Sequence, residues 1–345
     1  MQRIPAQSSQ SKLANDLVIA LQQRFVNGLE RLSNLLGAPQ KFAATEWFRD
    51  AGLHGGGTRL ATADGAMLGR GSVNVSQVHY DDNPDKQLAS ATALSTIMHP
   101  YHPHAPSVHI HISWTEMRDG TGYWRMMADL NPAIEHTTAT QQFLTALQHA
   151  APAQFKNAQE QGERYFYVPV LSRHRGVAHF YLEQYYTDDK HADFALAQSV
   201  GEASIDTYLD ILEHALKRAK TVTQTDKASQ LAYHSLYFFQ VLTLDRGTTS
   251  GLLVHNQNDV GILGSLPAYV DKELLSSWLE KMPKPQDQLL AALIAALPNQ
   301  SPALVSDDVK VKLAEVVRQH YTNHPEAIAM QASGELIPPT VNNHR

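Results

Sequence analysis

Residues 94–114 read LSTIMHPYHPHAPSVHIHISW, and five of the chain's 18 histidines fall between His99 and His111. Prolines at 100, 103 and 106 fix φ and remove backbone donors, so the first half is expected to be extended and irregular. From Ser107 the pattern becomes strict alternation. Ser107, His109, His111 and Ser113 take one side, while Val108, Ile110, Ile112 and Trp114 take the other. That period of two is the mark of a strand with one buried face. Such a strand presents two imidazoles and two hydroxyls on its polar side, under a His-rich loop.

Other segments follow outward from this strand. Leu17, Leu21, Phe25, Leu29, Leu32 and Leu36 recur at helical spacing, so a helix is expected over residues 11–36, after a polar, mobile start at 1–10. Residues 46–78 are glycine-punctuated and alternating, which suits strands joined by tight turns. Gly122–Leu130 is a further strand candidate, and Thr137–Ala150 and Ala197–Lys220 have helical patterns. The aromatic runs Arg164–Val170 and Arg175–Tyr186 read as strands, as do Tyr237–Leu244 and Gly251–Val254. Beyond Pro267 the spacing predicts helices over Glu273–Lys281, Gln286–Ala296 and Asp307–His320, then a disordered tail at 336–345. Strands in adjacent runs with helices at the ends imply an α+β antiparallel sheet flanked by helices. The expected organisation is a main domain over 1–270 with a helical extension over 271–335 packed on it.

Composition narrows the chemistry. The net charge of −6 argues against a nucleic-acid binder, and no apolar run is long enough to span a bilayer. With no secretory signal pattern at the N-terminus, a cytoplasmic protein is expected. Absence of cysteine removes disulfides, thiolate metal sites and cysteine nucleophiles, so any metal would rest on His, Asp or Glu. His109 and His111 on one strand face could share a divalent metal if a third ligand such as His99, Asp129 or His179 arrived. Otherwise they are ordinary polar residues on a half-exposed strand. Asp129 before Leu130-Asn131-Pro132 could simply begin a turn, and Asp245-Arg246 alone reads as a local ion pair.

The order of motifs resembles the oxygen-dependent coproporphyrinogen III oxidase family. The resemblance rests on Gly55-Gly56-Gly57-Thr58-Arg59, Gly71–Ser76, the Ser95 to His109 block, Asp129-Leu130-Asn131-Pro132, Tyr165-Phe166-Tyr167, Arg175-Gly176, Asp245-Arg246-Gly247-Thr248 and Ile262–Pro267. It implies oxidative decarboxylation of two tetrapyrrole propionates to vinyl groups, with molecular oxygen as oxidant, no organic cofactor, and a homodimer. It further implies that Asp129 and Asp245 engage pyrrole nitrogens and that Arg246 is a propionate contact or catalytic group. His109 becomes the proton donor and Ser95 a substrate contact, with His111, Ser113 and Arg175 as further substrate-facing positions. His99 matches a position assigned as a metal ligand. There are departures from the family pattern: His111-Ile112-Ser113 replaces an Asn-x-Arg, Met126 and Met127 replace glycines, and His255–Asn258 replaces a Gly-Gly-Arg loop. An altered substrate grip is therefore expected. The alternatives are a His-ligated metal oxidase with a smaller substrate and a non-catalytic tetrapyrrole- or haem-binding protein.

Overall fold

The computed structural model describes residues 2–218 and 221–337. Helix α1 (Ser9–Leu35) leads into β1 (Ala43–Phe48), β2 (Gly55–Ala63), β3 (Leu68–His79), β4 (Leu88–Pro100), β5 (Ser107–Met117) and β6 (Gly122–Asn131). Next come α2 (Thr137–Ala150), α3 (Phe155–Tyr165), a small hairpin of β7 (Tyr167–Val168) and β8 (Arg173–His174), and β9 (Ala178–Tyr185). Then follow α4 (Lys190–Lys217), α5 (Gln224–Thr243), α6 (Arg246–Val254) and α7 (Asp259–Ile262). The chain closes with β10 (Tyr269–Val270), α8 (Lys272–Ser276), α9 (Gln286–Ala296), β11 (Ala303–Leu304) and α10 (Asp307–Asn323).

Seven strands form one antiparallel sheet in the order β1-β2-β3-β4-β5-β6-β9, so the fold is α+β as expected. The alternation of β5 sets the two faces. Val108, Ile110, Ile112 and Trp114 join Leu94, Met98, Trp124, Met126 and Phe180 in a core closed by α1, α2 and α4. The opposite face carries the polar residues and is roofed by α5, α6 and the turns that follow. A second apolar core joins α5, α6 and the turns after it to α8, α9 and α10, so the helices after residue 270 pack on these elements and on one another. No helix among the described residues is long and apolar enough to cross a membrane.

Three expectations require correction. Tyr237–Leu244 and Gly251–Val254 are helical, not extended. Every residue from Ser235 to Thr243 is buried, because this end of α5 lies between the sheet and the second core. A helix buried all round carries no polar stripe to reveal its period. Its start was marked, however, by a reciprocal cap between Thr223 and Asp226. Second, Arg164–Val170 is the end of α3 followed by the two-residue β7 and a 3-10 turn, Pro169–Leu171, whose proline ends the strand. Third, the start of the chain is packed. Ile4 N–H donates to the Gly52 carbonyl at 2.9 Å, and Ala6, 1% exposed, donates to Gln77 Oε1 at 3.0 Å. Residues 219–220 of the helix expected over Ala197–Lys220 and 338–345 of the expected tail lie outside the described residues.

Candidate active site

Antiparallel register assembles the polar face from residues distant in sequence. One cross-strand row runs Arg59, Asn74, Ser95, His111, Met127 and Tyr181; the next runs Ala61, Ser72, Ile97, His109, Asp129 and His179. Between this face and the roof lies a cavity of about 280 Å³. Ser95, His109, His111, Ser113, Arg125 and Arg175 line its floor, and Asp245, Thr248 and Asn258 line its roof. Of the two methionines, Met127 lines the cavity and Met126 sits in the first core. One neighbour of each strand pair must point away, so only one of them narrows the cavity.

Asp129 is the electrostatic centre. Its side chain is fully buried, and its Oδ1 accepts a hydrogen bond from His109 Nδ1 at 2.8 Å. Its Oδ2 accepts from Arg175 Nη2 and Asn131 Nδ2, each at 2.6 Å. Burial works against the carboxylate, but Arg175, His109 and Asn131 together outweigh it and bring its pKa down to about 2. Arg175 is itself 1% exposed, held by Gln240 Oε1 at 2.9 Å and sandwiched between the rings of Phe166 and Tyr237. Gly176 makes this possible: at φ +81 a Cβ would stand 2.7 Å from Asn131 Oδ1 and 2.9 Å from the Leu130 carbonyl.

A depressed folded-state pKa means that the Asp129 carboxylate contributes stability above its ordinary pKa of 3.8, and that this is lost as pH falls toward 2. The contribution is about 2–3 kcal/mol, from a shift of just under two units at 1.36 kcal/mol each. Urea midpoints should therefore fall between pH 4 and 2, and an Asp129→Asn protein should show a flatter profile over that window. Equal slopes in the two proteins would contradict the assignment.

With Nδ1 occupied by Asp129, the Nε2 of His109 is left to give or take a proton from a bound molecule. His111 is different. Burial, then the charges of Arg125 and His109, holds its pKa well below the usual value, so it is a neutral imidazole paired with Ser113 Oγ at 3.0 Å. Asp245 caps α6 by accepting from Thr248 N–H at 2.7 Å, and its other oxygen accepts from the Tyr165 hydroxyl at 2.7 Å. Half-buried at the cavity edge, its oxygens retain lone pairs for a ligand N–H.

Two expected participants lie elsewhere. Arg246 is 6% exposed, does not line the cavity, and donates from Nη2 to the Ile328 carbonyl at 3.3 Å. The helix begun by Asp245 turns this next residue toward the C-terminal segment. The His99, His109, His111 ligand set also fails to assemble, and no group of three His, Asp or Glu among the described residues is arranged to hold a metal. His99 uses both ring nitrogens internally, with Ser107 Oγ and the Ser265 carbonyl each at 3.0 Å. Burial, aided by the charge of His234, keeps it neutral. His179 is likewise committed, to Glu163 and to the Arg175 carbonyl.

Sequence reasoning passed over Tyr165, Gln240 and Tyr237 as site residues. Tyr165 was visible only as part of an aromatic motif. Gln240 was signalled by being a lone amide in an apolar run, where a buried polar group requires a partner.

A sequence model of coproporphyrinogen III oxidase matches residues 14–294. The chain belongs to the coproporphyrinogen III oxidase family. It is similar to the oxygen-dependent coproporphyrinogen-III oxidase of Prochlorococcus marinus strain MIT 9312, 26% identical over 308 residues that span 77% of this chain and 86% of that protein. The protein of the same name from strain NATL1A is 25% identical over 334 residues, spanning 85% of this chain and 90% of the relative. The span matched to the coproporphyrinogen III oxidase family holds the whole sheet, α5 and α6, and ends inside α9. All of the cavity residues named above fall within it.

Proposed function

We propose that this protein catalyses the oxygen-dependent oxidative decarboxylation of coproporphyrinogen III to protoporphyrinogen IX in haem biosynthesis, with a substrate grip altered from that of its relatives. The observation that carries this reading is the buried Asp129, fixed by Arg175 and Asn131, presenting His109 to a cavity whose other wall is Asp245. Each propionate arm that becomes a vinyl group releases one CO2, one proton and two electrons. Oxygen takes up two electrons and two protons as hydrogen peroxide, so each arm consumes one proton net. His109 is suited to supply it from Nε2.

Asp129 has no exposed surface and its carboxylate already accepts three hydrogen bonds, so its part is to orient His109 rather than to touch the macrocycle. Asp245, open to the cavity, is the carboxylate that receives pyrrole N–H groups. At about 280 Å³ the cavity is slightly below the ~300–1,000 Å³ usual for small-molecule sites. It suits one pyrrole ring with its propionate arm rather than the enclosed macrocycle. His111, Ser113 and Arg125 take the ground beside that arm. Arg125 is bound to Glu183 Oε2 at 2.6 Å, so its charge is already neutralised and is not a free propionate clamp.

Aerobic incubation with coproporphyrinogen III, followed by oxidation and protoporphyrin fluorescence, tests the reading. Product well above the autoxidation control, lost when oxygen is withdrawn, is expected. Product no greater than the control would reject it.

A further inference from the structure

Two guanidinium groups with buried, unpartnered Nε donors stand close together beside the cavity. Arg59 on β2 belongs to the cross-strand row that includes Asn74, Ser95 and His111, and Arg70 on β3 stands on the same sheet face, two residues before Ser72. Lys310, from the first turn of α10 and 2% exposed, is near enough for the charges of Arg70 and Arg59 to act on it. Each of these three charges acts on the shared neighbour Asp307. Asp307 Oδ1 binds Lys310 Nζ at 2.9 Å, so one carboxylate stands among three cations. The Nε donors of both arginines are buried without a partner among the described residues. Burial, followed by the charge of Arg70, pulls the Lys310 ammonium below its usual pKa. Three cations held together with two charges uncompensated are costly in a folded protein, and an anion placed between them removes the cost. The chain as a whole carries −6, so this is not spill-over from a basic surface.

The cluster adjoins the cavity. A Cβ built on Gly264 would lie 3.5 Å from Arg59 Nη1 and 3.3 Å from Ser72 Oγ, so the guanidinium and the cavity residue Ser72 both stand against the turn Leu263–Ser265, whose Ser265 also lines the cavity. Lys310 lies beyond residue 294, where the family match ends. We propose that Arg59, Arg70 and Lys310 form a carboxylate-binding site against the Leu263–Ser265 turn. A propionate of the tetrapyrrole or a free polycarboxylate would each satisfy it; the former rests on the proposed function, while the site itself does not. Planar guanidinium forks suit carboxylate oxygens, and Lys310 adds a point charge behind them.

Two probes separate the sources in full-length protein: coproporphyrin III, followed by fluorescence, and citrate, followed by its effect on Tm. In Arg59→Gln plus Arg70→Gln, coproporphyrin III affinity should fall about tenfold or more if the site holds a propionate. If instead the site holds a free polycarboxylate, porphyrin affinity stays unchanged while the citrate-dependent rise in Tm disappears. Porphyrin affinity and citrate response both equal to wild type would overturn the proposal. Because the substitutions remove mutual repulsion, the variant's Tm without anion should match or exceed that of wild type. Should it fail to fold, Lys310→Met carries the same comparison. A wild-type protein that turns over no coproporphyrinogen III, yet shows a citrate response that the variant lacks, would reject the proposed function and leave this site standing.

Discussion

Asp129→Asn should lose nearly all turnover and a large part of its stability. Three donors converge on this carboxylate, from His109 Nδ1, Asn131 Nδ2 and Arg175 Nη2. An asparagine of the same shape brings an NH2 that must face one of those donors. It also leaves the Arg175 guanidinium, 1% exposed, without a counter-charge. Removing one partner of a buried pair costs about 3–5 kcal/mol. Part of the cost here is softened by the rings of Phe166 and Tyr237, which still face the guanidinium. Urea unfolding should show the lost stability directly. Turnover by the folded fraction should fall at least about 10²-fold, since His109 loses the group that fixes its ring and tautomer. A variant of wild-type stability and rate would remove Asp129 from the centre of the account.

His109→Gln has the opposite signature. The glutamine amide can still donate toward Asp129, so Arg175 keeps its counter-ion and unfolding should change by no more than about 1 kcal/mol, the centre of the range for point substitutions. What disappears is a titratable nitrogen facing the cavity. Loss of a general acid or base typically costs 10²–10⁴-fold, and kcat should drop by about that amount. Coproporphyrin III binding should change far less. Because Asp129 acts through His109, the double variant should be little slower than either single one. Additive losses would show that the two residues serve separate steps.

The parts of this structure legible in the sequence are those with one face in water or polar solvent and one in a core. The alternation from Ser107 to Trp114 located β5 and assigned its histidines to the polar face, because a period of two survives in a strand buried on one side. The helix Thr137–Ala150 was legible for the same reason at the other period. Tyr237–Leu244 was not, since burial on all sides erases the stripe and leaves aromatic residues that mimic a strand.

The site was legible as a set of residue types but not as a circuit. Asp129 and Arg175 are 46 positions apart and meet through the β6–β9 pairing and the Gly176 turn. Nothing local to either residue announces that contact. Arg246 shows the converse: adjacency to Asp245 placed it in the expected site, whereas the helix turn between them sends the two side chains to different neighbours. His99 shares a sheet face with His109 and His111 but is consumed by Ser107 and Ser265. Periodicity assigns a face; only the roof decides which residues on that face remain available.

The most direct test is the CO2 released per coproporphyrinogen III consumed by wild-type protein under air. Two CO2 are expected for each tetrapyrrole converted, with the rate collapsing when oxygen is removed. Tetrapyrrole bound and recovered intact, with no CO2 released, would contradict it.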